Sequence, residues 1–134
     1  MKHLIISIGL LLLMSFSYAT APVVSNATMT QRTDGSLNVD IYYNLADAEN
    51  DACNISIILS GDGGSTYTIV PALPNLSGAI GSGITPGTGK HIIWNIGNES
   101  YSFNSNQYRV KVIAEDGFVL VAGGTFYNGK SNVI

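Results

Sequence analysis

The sequence predicts an all-β chain folded as a two-layer sandwich of about seven strands, and three observations predict it. Apolar residues alternate with period two through several short runs, the pattern of a strand with one buried face. Nowhere do they recur over three or four turns at helical spacing. Glycine, asparagine, aspartate and serine fall between the runs, so turn chemistry sits where a meandering sheet needs it.

Residues 1–19 stand apart from that pattern. Lys2, an apolar run over residues 4–14, and small residues at Ser17 and Ala19 read as a secretory signal cut after Ala19. The alternative frame, Ala19-Thr20-Ala21, would leave Pro22 just after the cut. The apolar run is well short of the ~20 residues a bilayer span requires, so no transmembrane anchor is expected after processing. The expected location is secreted, periplasmic or cell-surface. Lys2 leaves with the signal, so 5 cationic side chains face 9 carboxylates, net −4, which argues against nucleic acid as a partner. The single cysteine, Cys53, cannot form an internal disulfide, so the core must hold by packing.

Along the chain, residues 23–32 form a weak first strand that ends at the turn Thr33-Asp34-Gly35-Ser36. "LNVDIYYNLA" puts Val39, Ile41, Tyr43 and Leu45 on one face and Asn38, Asp40, Tyr42 and Asn44 on the other. "CNISIILS" aligns Ile55, Ile57 and Leu59, with Cys53 read as a small core hydrophobe. Weaker runs at 66–70 and 76–80 follow, then residues 81–89, read as a long loop too Gly-rich for the interior of an element. "KHIIWNI" aligns Ile92, Trp94 and Ile96 and turns His91 outward, and Trp94, the only tryptophan, is the expected core centre. "QYRVKVIAE" aligns Tyr108, Val110, Val112 and Ala114, leaving Arg109 and Lys111 to water. This number and spacing of strands is that of an immunoglobulin- or fibronectin-like sandwich occupying residues 20–117.

Three stretches bear on chemistry. Ser60, Asp62, Gly64, Thr66 and Tyr67 resemble the Asp-box of sialidase-type propellers, but the motif occurs once, and about 115 residues cannot build four blades. The expected role of Asp62, Gly63 and Gly64 is therefore a structural turn, with Asp62 accepting backbone N–H groups and the glycines supplying positive φ. Asp47, Glu49 and Asp51, at alternate positions in one loop, are a candidate Ca²⁺ site, although the spacing fails as an EF-hand because Ala52 and Ile58 stand where Gly and Glu belong. No other cofactor is expected. One histidine and one cysteine in the processed chain supply no catalytic pair.

The last stretch, "FVLVAGGTFYNGKSNVI", is an apolar strand, then Gly123-Gly124, then Thr125-Phe126 and Gly129. It resembles the opening of the catalytic domain in the formylglycine-generating enzyme (sulfatase-modifying factor) family, with Asn128 where that family often has Met. The sandwich ahead of it looks like a β module that precedes such domains in exported bacterial proteins. The resemblance implies a division into a signal peptide (1–19), an accessory sandwich (20–117) and the start of a truncated catalytic domain (118–134), beginning with an orphan strand. It also implies that the family's cysteine pair and copper ligands would lie downstream, so no catalytic residue is carried over. The expected function is a non-catalytic exported spacer or accessory module. The alternative is a carbohydrate- or surface-binding module using Tyr42 and residues 81–89.

Overall fold

A computed structural model describes residues 20–100 and 106–117, and the backbone of three short strands beyond them. The signal-peptide reading of residues 1–19 lies outside the described residues, as do Phe118, Gly123, Gly124 and Gly129. The all-β expectation is met: the described residues contain no α-helix, only two single-turn 3-10 segments, Leu73–Asn75 and Ile96–Asn98. The strands are β1 (Val23–Gln31), β2 (Asn38–Ala46), β3 (Cys53–Ser60), β4 (Leu76–Gly78), β5 (Gly81–Ile84), β6 (Gly87–Asn95), β7 (Arg109–Asp116), β8 (Val119–Val121), β9 (Thr125–Tyr127) and β10 (Ser131–Val133).

Two four-stranded sheets form, ordered β1-β2-β6-β4 and β10-β7-β3-β5, with β8 and β9 as a separate antiparallel pair. Every strand pairing is antiparallel. Alternation decides which faces meet. From the first sheet Val24, Val39, Ile41, Tyr43, Leu45, Ile92 and Trp94 point inward, and from the second Cys53, Ile55, Ile57, Leu59, Val112 and Ala114 meet them in one continuous core. Ile41, Leu59, Ile92, Val112 and Ala114 are completely buried, and Trp94 is 2% exposed. Burying an aliphatic side chain of this size stabilises the fold by about 1.5–3 kcal/mol, so this shared interior is what holds the two layers together.

Several expectations are corrected. Residues 81–89 are not a loop: they supply β5 and the start of β6. Glycine permits the strand here instead of breaking it, because the irregular β3–β5 register at the sheet edge places Gly81 and Gly83 at φ +83° and +79°. Residues 66–70 do not form a strand; they return only as far as an isolated bridge between Leu59 and Ile69. The last stretch does not begin with an orphan strand, since Val119–Val121 pairs with Thr125–Tyr127 and Ser131–Val133 pairs with the edge of β7.

Candidate functional site

The β3–β7 ladder runs from Cys53 opposite Asp116 to Ser60 opposite Arg109, so each of its ends carries one of the two acidic stretches singled out in the sequence.

At the Ser60 end the chain closes on Asp62. Ser60 Oγ donates to Asp62 Oδ1 at 2.6 Å, Thr66 N donates to the same oxygen at 2.9 Å, and Thr66 Oγ1 donates to Oδ2 at 2.7 Å. Ser60 Oγ in turn accepts from Gly64 N at 2.8 Å. Gly63 and Gly64 sit at φ +76° and +100°, and Gly63 N bonds Gln107 O at 2.9 Å, tying the turn to the segment leading into β7. The Ser60 hydroxyl, then the Thr66 amide and hydroxyl, hold the Asp62 carboxyl well below the usual carboxylate range. An acceptor that takes three donors from its own turn acts as a structural clasp. Tyr67, which ends the motif, lies under Lys111 Nζ, 4.1 Å from the ring centre, so Lys111 is not simply left to water.

At the Cys53 end the three carboxylates of the candidate Ca²⁺ site are not brought together. Both oxygens of Glu49 are taken by Thr20, whose N and Oγ1 donate at 2.9–3.1 Å. Asp47 Oδ2 accepts from Asp51 N at 2.8 Å, closing the 47–51 turn from within. Among the described residues no group of three or more His, Cys, Asp or Glu side chains can hold a metal ion. The residue that sequence reasoning missed here is Asp116, the last residue of β7, only 8% exposed. Burial pushes its carboxyl up, and the negative charges of Asp47, Glu49 and Asp51 add to that. The signal was available in the sequence, since Asp116 continues the inward row of Val112 and Ala114, but the run was read as ending with its apolar residues. Cys53, 1% exposed, points into the same corner; burial and then the charges of Asp47, Asp116 and Asp51 push its thiol up, away from the reactive thiolate.

A third constellation lies on the outer face of the first sheet. Asp40 receives Arg32 Nε and Nη2 at 2.8 and 2.7 Å in a bidentate fork, and His91 Nε2 lies 2.7 Å from Asp40 Oδ1. These contacts, Arg32 first, hold the Asp40 carboxyl far below its ordinary value. The His91 ring stacks on Tyr42, with centroids 4.4 Å apart and planes 9° from parallel. Sequence reading left His91 facing outward and alone; cross-strand register is what places it beside Asp40 and Tyr42. A cavity of about 300 Å³ opens near the Ser60 end, with Met29, Val39, Trp94 and Ile96 as apolar lining and Gln31, Asn106 and Arg109 as polar lining.

None of the described helical segments is long and apolar enough to cross a membrane. In comparisons with protein-family models, with characterised proteins and with solved structures, nothing matches this chain.

Proposed function

We propose that residues 20–117 are a non-catalytic exported spacer or positioning module, an immunoglobulin- or fibronectin-like sandwich standing ahead of a domain of the formylglycine-generating enzyme family. The observation that carries this reading is a core closed on itself, which the chain enters at one end and to which its last described strand, β10, returns at the edge of β7. Thr20 is clasped to the 47–52 loop through Glu49, and Asp116 lies opposite Cys53 at that same end. A unit built this way presents a following domain from a fixed base. The strand orders, with β2 and β6 central in one sheet and β3 and β7 central in the other once β10 from beyond residue 117 flanks β7, support the immunoglobulin-like assignment. The segment after residue 117, carrying Thr125 and Phe126, supports the family link. The test is incubation of the purified chain with copper and a sulfatase-type cysteine peptide. No formylglycine should appear by mass spectrometry, and its formation overturns the reading.

A second reading, a carbohydrate- or surface-binding module, draws on Tyr42. The side chain is 44% exposed on the outer sheet face, is braced by His91 and lies beside Asp40, a mixture of ring and polar groups suited to a sugar. Residues 81–89, now strand, contribute less to it than the sequence suggested. Retention on a glycan array that is lost in Tyr42→Ala favours this reading; no retention removes it.

A further inference from the structure

We propose that the Cys53 end of the sandwich binds a divalent cation of the calcium class between Asp47 and Asp116, closing that end of the module. Asp116 stands two residues beyond Ala114, and Asp47 two residues beyond Leu45, each following the last inward apolar side chain of its strand, one in each sheet. The final layer across the sandwich therefore consists of carboxylates where the layers below it are apolar.

Their bonding is incomplete. Asp116 is 8% exposed, and its Oδ1 is buried without a hydrogen-bond partner; Asp47 Oδ1 is likewise buried without one. Buried carboxylate oxygens in native proteins are almost always satisfied, because an unpaired one costs several times what its hydrogen bond would contribute. No described Lys or Arg forms an ion pair with either residue; the salt bridges belong to Asp40. Two like charges facing one corner, with no cation supplied by the described residues, call for one from outside. The oxygens are hard donors, and the adjoining 47–52 loop offers backbone carbonyls, the ligand mixture that Ca²⁺ accepts and that softer metals do not favour. Two carboxylates with loop carbonyls and water are consistent with the absence of any converging set of three acidic side chains. Glu49 is not counted in the site, since its two oxygens accept from Thr20 at the surface. The proposal does not depend on the spacer reading; it concerns only this corner.

The test is thermal unfolding of the full chain in CaCl₂ and in EGTA, with isothermal titration of CaCl₂ into the metal-free protein. Extracellular modules bind Ca²⁺ with Kd of about 0.1–1 mM, so ~5 mM CaCl₂ should raise Tm by roughly 5 °C or more over EGTA. Asp116→Asn and Asp47→Asn should each lose that rise, whereas Glu49→Gln should keep it. If a variant fails to fold, titration of the unsubstituted chain decides alone. Equal Tm with and without calcium together with no binding heat overturns the proposal, as does a calcium response that survives both Asn substitutions. A calcium-silent chain in which Asp116→Asn raises Tm equally in both buffers would show two carboxyls sharing a proton, and that result overturns it as well.

Discussion

The two ends of the β3–β7 ladder each carry acidic residues, and they are wired in opposite ways. At one end Asp62 collects the Ser60 hydroxyl and the Thr66 amide and hydroxyl, all within four residues of itself. At the other, Asp47 and Asp116 each bury an oxygen, Oδ1, that no described residue satisfies. The difference teaches that a carboxylate followed by its own donors makes a closed turn, whereas carboxylates brought together from distant strands have only what the tertiary structure provides.

The largest expected effect tests whether the two ends share one support. Trp94 is fully enclosed, and its Nε1 donates to Glu99 Oε1 at 2.8 Å. Trp94→Ala should cost about 3–5 kcal/mol in chemical denaturation. A loss below about 1 kcal/mol would mean that the core does not unite the sheets. Next comes the clasped end. Asp62→Ala removes the acceptor for three donors and should lower Tm by several degrees, by the same amount in calcium and in EGTA. An unchanged Tm would make the turn a passenger. Gly63→Ala should cost about 1 kcal/mol, since φ is +76° and a Cβ would stand 2.8 Å from Gln107 Oε1. The smallest effect sits at the open end, where Asp116→Asn in EGTA at neutral pH should leave stability unchanged or slightly raised, because it removes a charge from a buried carboxyl whose Oδ1 has no hydrogen-bond partner. A marked loss there would reveal a bond that the comparison denies.

Acid sharpens the same contrast. Asp62 and Asp40 both have folded-state pKa values depressed below those of the unfolded chain. Their stabilisation is fully present above the unfolded carboxylate range of about 4 and is lost as pH falls through the folded values. Denaturation followed between pH 5 and 2 should therefore steepen on the acid side of about pH 4, and Asp62→Ala should flatten that slope.

Much of the fold was legible because periodicity is local. The rows Val39, Ile41, Tyr43, Leu45 and Ile55, Ile57, Leu59 were legible as buried faces, and Trp94 lies in the core expected of it. The turn of Thr33-Asp34-Gly35-Ser36 closes through Asp34 Oδ1, which accepts from Ser36 N at 3.0 Å and Ser36 Oγ at 2.6 Å, all within three residues. The misread elements were those whose conformation is set from outside. The return after Tyr67 makes only a single bridge, Ile69 to Leu59, on the side of β3 that β5 covers at Cys53 and Ile55. Gly81–Ile84 becomes a strand because the edge of β3 accepts it.

Sequence alone determined the class of the fold, which faces of its central strands are buried, and the residues able to close Asp62 on itself, because each depends on neighbours a few positions away. Tertiary structure decided that His91 meets Asp40 across 51 residues, that Tyr43 spans to the Ala79 carbonyl at 2.7 Å, and that Asp116 shares a corner with Asp47. Those contacts follow from the register and the stacking of two sheets, and a β-strand carries no record of which partner will lie beside it.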